Sequence, residues 1–227
     1  MKVSLFVTCI VDQLYPQVGE AAFEVLTRLG VEVTFNPEQT CCGQPAYNTG
    51  YRREARAVAA RTLDLLEHEL RTADYVIAPS GSCMSMVKTS YAELFSDEPE
   101  TRACAESVGT RCYELSQFLV DVLGVEDVGA AFGGRVTYHD SCHLLRDLGV
   151  SAAPRKLIRA VDGAEFVEMQ DAAACCGFGG TFSVRYPEIS DAIAAEKAAN
   201  IERSGADVVV ACDSGCLMRT ADTLSRT

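Results

Sequence analysis

The tripeptide Cys41-Cys42-Gly43 returns as Cys175-Cys176-Gly177, and each copy occupies the same place in a longer cysteine frame. Between Cys9 and the first pair lie 31 residues, and between Cys142 and the second pair 32. Cys83 follows the first pair after 40 residues and Cys216 the second after 39. The flanks repeat as well: Ala73-Asp74-Tyr75-Val76-Ile77-Ala78 leads towards Cys83, and Ala206-Asp207-Val208-Val209-Val210-Ala211 towards Cys216. Eight of the eleven cysteines thus form two sets of four, one in each half of the chain. Soft thiolates at repeated, widely separated positions are the donor set of a metal or iron–sulfur site.

The chain has 227 residues, enough for one large core or two small ones, and a formal net charge of −12. That charge argues against nucleic acid or an anionic membrane surface as partner. It suits a cytosolic protein that stays soluble or docks on a basic protein surface. The opening Met1 to Val7 reaches Thr8-Cys9 too soon for the apolar core of an export signal, and no apolar run approaches the roughly 18 residues of a membrane span. The expectation is a cytoplasmic protein that does not span a membrane. In a reducing compartment its cysteines serve a metal or cluster rather than a disulfide framework.

Each half reads as alternating strands and helices. Val3 to Val7 is a β-rich run ending near Cys9. A helix spans about Val18 to Leu29, with Ala22, Val25, Leu26 and Leu29 on one face and Gly30 closing it. A strand at Val31 to Phe35, a long helix at Arg52 to Leu70, a strand at Asp74 to Ala78 and a helix at Met84 to Leu94 follow. The second half repeats the plan: strand Arg135 to His139, helix Pro154 to Val161, strand Glu165 to Glu168, helix Pro187 to Arg203, strand Asp207 to Ala211, and a last helix opened by Cys216. This order predicts an α/β fold of two tandem Rossmann-like units, with parallel sheets related by a pseudo-twofold and one Cys-Cys-Gly site in each. The expected divisions are a first repeat at 1–95, a connector at 96–134 with an apolar helix from Tyr113 to Leu123, and a second repeat at 135–227. The cysteines fall at strand ends and in the loops after them, where parallel sheets place ligands.

The candidate metal ligands are Cys9, Cys41, Cys42 and Cys83 in the first repeat, and Cys142, Cys175, Cys176 and Cys216 in the second. Cys212, which a gapless comparison sets opposite Pro79, is a further candidate near the second set. Gly43 and Gly177 follow the paired ligands directly and are candidates for amides aimed at sulfur; the bland reading is that they only permit tight turns. His139 and His143 bracket Cys142, either as extra ligands or proton carriers or as a strand-end histidine and the start of the next helix. Cys104 and Cys112 have no repeat partners and read as small buried hydrophobes, and His68 as a surface residue. Asp12, Asp140 and Asp213 read as turn or cap residues. Gly177-Phe178-Gly179-Gly180 is no dinucleotide loop, because it follows a cysteine pair rather than a strand.

Cys41-Cys42-Gly43-Gln44-Pro45-Ala46-Tyr47-Asn48, Pro79-Ser80-Gly81-Ser82-Cys83, Ser141-Cys142-His143, Cys175-Cys176-Gly177-Phe178-Gly179-Gly180-Thr181-Phe182-Ser183-Val184 and Gly215-Cys216-Leu217-Met218 resemble the cysteine-rich CCG domain proteins. That family includes the paired-cysteine component of heterodisulfide reductase and the iron–sulfur components of glycolate and glycerol-3-phosphate oxidation. The resemblance runs from Met1 nearly to Thr227. It implies an iron–sulfur electron-transfer subunit of an L-lactate oxidation complex, acting beside a ferredoxin-like iron–sulfur subunit and a third subunit, with a [4Fe–4S] cluster as cofactor. The heterodisulfide reductase component uses five cysteines per motif and ends each in CxxC. Here the first repeat has Pro79 in that region, and Cys212 and Cys216 are separated by three residues. Four thiolates per site suit a cubane cluster, a cluster with one non-cysteine ligand, or zinc. Thiol–disulfide redox chemistry and a zinc-stabilised interaction module therefore stand as alternatives to electron transfer.

Overall fold

The computed structural model describes residues 1–226, which divide into two units, 1–118 and 119–226. In the first, the short strands β1 (Lys2–Leu5), β2 (Glu32–Thr34), β3 (Tyr75–Ala78) and β4 (Cys112–Glu114) form a parallel sheet in the order β2-β1-β3-β4. Its two central strands are buried on both faces, with Val3, Ser4, Leu5, Val76, Ile77 and Ala78 all buried. That is the pattern of a parallel sheet covered on both sides. The helices of this unit are α1 (Cys9–Leu14), α2 (Pro16–Arg28), α3 (Gln44–Asn48), α4 (Arg52–Glu69), α5 (Gly81–Ser85), α6 (Tyr91–Leu94) and α7 (Pro99–Thr110). A π-turn at Met86–Ser90 joins α5 to α6.

After α7 the apolar helix expected at Tyr113 to Leu123 is present over 115–122 and shortened at its start. Cys112–Glu114 instead pairs with Val76–Ala78, and the helix α8 (Leu115–Gln117) and a π-turn at Phe118–Val122 follow. Burial and capping explain the change. Cys112 is wholly buried and the Tyr113 ring meets Tyr75 edge-on, while the Glu114 carboxylate accepts the amides of Ser116 and Gln117. Three residues carry no periodicity, and their pairing partner lies far away in sequence.

The second unit holds a three-stranded parallel sheet in the order β6-β5-β7, from β5 (Ala131–His139), β6 (Asp162–Phe166) and β7 (Val208–Ala211). Its helices are α9 (Cys142–Arg146), α10 (Ala152–Arg159), α11 (Thr181–Arg185), α12 (Pro187–Ser204) and α13 (Ser214–Leu224). β7 lies at the edge, whereas its counterpart β3 carries β4. The two registers correspond: Leu5 pairs with Ile77 as Tyr138 pairs with Val210. Both units are thus Rossmann-like, as the alternation of elements predicts. Among the described residues no helix is long and apolar enough to cross a membrane.

Candidate metal centres

In each unit the four repeated cysteines come from three places: the start of a helix after the first strand, the Cys-Cys-Gly loop, and the helix after the third strand. Cys9 opens α1 and Cys142 opens α9, while Cys83 lies in the first turns of α5 and Cys216 in those of α13. The two late helices are capped alike. Ser80 accepts the amide of Cys83, and Asp213, expected to be a cap, accepts the amide of Gly215.

The side chains converge. In the first unit Cys41 is hydrogen-bonded to both Cys9 and Cys42, and Cys42 also to Cys83. In the second, Cys175 is hydrogen-bonded to both Cys142 and Cys176, and Cys176 also to Cys216. The first cysteine of each pair is the one whose pKa is held down. Bonds from Cys42 and then Cys9 hold Cys41 down at about 3, and bonds from Cys142 and then Cys176 hold Cys175 down at about 2. Its neighbours are pushed up. Cys9 and Cys142 rise because each donates to that thiolate and because of burial; Cys42 and Cys176 rise for the same reasons and through their bonds to Cys83 and Cys216. Cys216 falls to about 7, drawn down by its bond with Cys176 against burial, with His139 adding to the effect. Each group also has an open side: Cys42, Cys83, Cys176 and Cys216 are buried, Cys9, Cys41 and Cys142 are half-buried, and Cys175 is exposed.

Gly43 and Gly177 have the local role expected of them. With φ of 89° and 81°, each turns its amide back onto the first cysteine of its own triplet, at 3.4 Å from Cys41 Sγ and 3.3 Å from Cys175 Sγ. The turn needs a left-handed backbone that side chains disfavour. Each glycine also lies against the long helix of its unit. A Cβ on Gly43 would come within 3.2 Å of the Ala55 carbonyl oxygen, and one on Gly177 within 2.6 Å of that of Ser190.

The supporting residues differ between the units. Around the first pair, Thr62 donates to the Cys41 carbonyl at 3.0 Å and Tyr91 to the Cys42 carbonyl at 2.8 Å. Thr8, just before Cys9, takes φ 76°, a strained value for a β-branched residue. In the second unit the buried Lys197 of α12 donates to the carbonyls of Asp171 and Ala172 at 2.8 and 3.1 Å, pinning the loop that leads to Cys175. Burial lowers its pKa, and the nearby Cys176 opposes that shift. Nothing in the sequence marked this lysine out from the polar face of a long helix.

Asp140, read from sequence as a turn residue, instead makes a two-pronged ion pair with Arg155, at 2.7 and 2.6 Å. Arg155 also holds Glu168 and Ser151, and the two carboxylates raise its pKa further. The network anchors the β5–α9 turn that carries Cys142. His139 is buried beside Cys176 and Cys216, with its ring nitrogen and their sulfurs all within 4.8 Å of one another. His143 Nδ1 is hydrogen-bonded with Asp147 Oδ2 at 2.8 Å, and His68 is exposed. Cys212 packs among apolar side chains, including Tyr138, Ile158, Leu144 and Val150, and accepts a hydrogen bond from the Tyr138 hydroxyl at 3.5 Å. Cys112 is fully buried and pushed up to about 12 by that burial, and Cys104 is half-buried.

Known proteins share this frame. A family model described as a cysteine-rich domain, CCG, matches residues 3–88 and 136–220, which enclose the two cysteine sets. The chain is 49% identical over 226 residues to lactate utilization protein A of Geobacillus kaustophilus, covering 100% of this chain and 92% of that protein. It is 48% identical over 225 residues to the protein of that name from Exiguobacterium sp., covering 99% and 91%. With that of Oceanobacillus iheyensis it shares 46% over 226 residues, covering 100% and 91%.

Proposed function

The chain belongs to the cysteine-rich CCG domain family of lactate utilization protein A, and on that footing we propose that it is an iron–sulfur electron-transfer subunit in the oxidation of L-lactate. The observation that carries this reading is the convergence, in both units, of four thiols with a glycine amide aimed at the central sulfur. Cys9, Cys41, Cys42 and Cys83 would hold one cluster, and Cys142, Cys175, Cys176 and Cys216 another, each of the [4Fe–4S] type. The fit is chemical: four soft donors per site, backed by an N–H group that offsets negative charge on sulfur. Cys212 belongs to the apolar packing of the second unit rather than to the ligands.

When bound, such a cluster takes up and gives back single electrons. The remaining work falls to the chain itself. Ser80 and Asp213 fix the helices that present Cys83 and Cys216, while Gly43 and Gly177 shape the paired-cysteine turns. The buried thiols keep water from one side of each site, and the half-buried or exposed Cys41 and Cys175 leave the other within reach of a redox partner. The cleft beside Cys9 is lined by Asp12, Gln13, Gln39 and Thr40, and its one charged side chain is an acid that repels a carboxylate substrate. In this reading lactate binds another component, and the partners are a ferredoxin-like iron–sulfur subunit and a third subunit of a cytoplasmic complex.

The experiment is reduction of the anaerobically purified chain by L-lactate. Bleaching of its visible absorption should require the partner subunits, and lactate alone should leave it unchanged. If lactate with the full set of subunits leaves the colour unbleached, the electron-transfer reading is wrong. If a disulfide substrate re-oxidises the chain at a comparable rate, thiol–disulfide chemistry becomes the better reading.

A further inference from the structure

His139 is the last residue of β5, paired with Ala211 of β7, and is 2% exposed. Neither of its ring nitrogens has an oxygen or nitrogen partner, and the polar atoms within its reach are the sulfurs of Cys176 and Cys216. Buried polar atoms are almost always satisfied, so an imidazole without such a partner at either nitrogen demands an explanation. The orphans cluster: among the described residues seven buried side-chain nitrogen and oxygen atoms lack a partner, and four of them belong to Thr137, His139 and Ser141. This is the segment that leads into Cys142. A ring nitrogen of His139 and the sulfurs of Cys176 and Cys216 lie within 4.8 Å of one another, close enough to converge on one ion.

The first unit supplies an internal control. Its register sets Phe6 at the sheet position of His139, one residue beyond the Leu5–Ile77 pair, as His139 follows the Tyr138–Val210 pair. Phe6 is wholly buried and offers no donor. One fold thus places a buried apolar ring at this sheet position in the first unit and a nitrogen donor beside the thiols in the second. Packing alone needs only the first.

We propose that His139 is a nitrogen ligand of the second metal centre, beside the thiolates of Cys176 and Cys216, while the first centre is held by sulfur alone. This rests on the reading that the second cysteine set holds a metal centre. A neutral imidazole raises the potential of an iron–sulfur centre where it takes the place of a thiolate, and leaves the thiolate charge unchanged where it is an added donor. The two centres therefore differ in their donor sets.

The test uses the full chain, loaded anaerobically, with Cys42→Ser to silence the first site. Pulsed electron paramagnetic resonance of the reduced second centre should show a strongly coupled nitrogen. Its coupling should change on ¹⁵N-histidine labelling and vanish in His139→Phe, which reproduces the residue that the first unit already packs at this position. A loaded second centre without such a nitrogen, or with one that survives in His139→Phe, overturns the proposal. The isotope comparison needs no change at His139, so a misfolded variant does not decide the matter. Acid-labile sulfide is measured in the same samples. If it is absent and zinc is present, the iron–sulfur reading has failed, and the ligand is then read from cobalt(II) absorption. A shift towards an all-sulfur spectrum in His139→Phe supports the ligand, and an unchanged spectrum overturns it.

Discussion

The Ser190 hydroxyl donates to the Gly177 carbonyl at 2.8 Å, and the Ser190 carbonyl oxygen stands 2.6 Å from where a Cβ on Gly177 would lie. The second Cys-Cys-Gly turn is thus clamped against α12 with no room for a side chain. Gly177→Ala meets both the left-handed backbone and a backbone clash, and should destabilise the second unit by about 2–6 kcal/mol, combining strain terms of about 1–3 kcal/mol each. Gly43→Ala faces a looser 3.2 Å approach and should cost about 1–2 kcal/mol, the backbone part alone. Urea unfolding of the two metal-free variants measures the difference, and equal losses would count against the clamp.

Asp140 and Arg155 form a buried pair, with side chains 6% and 13% exposed. Arg155→Met strands the Asp140 carboxylate and should destabilise the second unit by about 3–5 kcal/mol, while replacing both residues by apolar ones of similar size should recover most of the loss. In urea the transition of the second unit should move and that of the first should stay. Iron content should fall at the second site, because the turn bearing Cys142 loses its anchor.

The repeat, the parallel strands and the eight cysteines were readable because each was written twice, and the spacing differences between copies were a single residue. What occurs once was harder to read. His139 has no partner in the repeat, and a strand-end histidine is ordinary; its significance lies in a burial and a missing hydrogen bond that only packing reveals. Setting Phe6 opposite His139 was the one sequence signal at hand, and it pointed to the same asymmetry. Lys197 stands at the position in α12 that Thr62 takes in α4, and in each case the side chain tethers a carbonyl in or near the cysteine loop. Its burial could not be read from a helix rich in charged neighbours. β4 went unread because three residues show no periodicity, and the bond that makes them a strand comes from β3.

Cys42→Ser and Cys176→Ser each remove a buried thiol from one group alone. Each should lower total iron by roughly half and leave the other site loaded, since binding at a site fails when one ligand is lost. Colorimetric iron per chain reads the outcome. Loss of all iron from either variant would show that the two sites do not assemble independently.

Metal uptake should release protons. The thiols of Cys9 and Cys42 in the first site, and of Cys142 and Cys176 in the second, have pKa values raised above the ordinary thiol range, so they hold protons at neutral pH and lose them on binding. Affinity must then rise with pH and fall as pH drops. For zinc or cobalt(II) binding to the metal-free chain, the logarithm of the affinity should climb by at least about two per pH unit per site, one for each raised thiol that gives up its proton. A flat profile between about pH 6 and 8 would contradict this ordering of the thiols, since release on binding is what makes affinity pH-dependent.

The central claim, that each Cys-Cys-Gly turn completes an iron–sulfur site, is tested most directly by counting iron, acid-labile sulfide and zinc in the chain purified without oxygen. The account predicts a brown protein with iron and sulfide in equal amounts, roughly four of each per site, and little zinc. A colourless protein carrying stoichiometric zinc and no sulfide would contradict it.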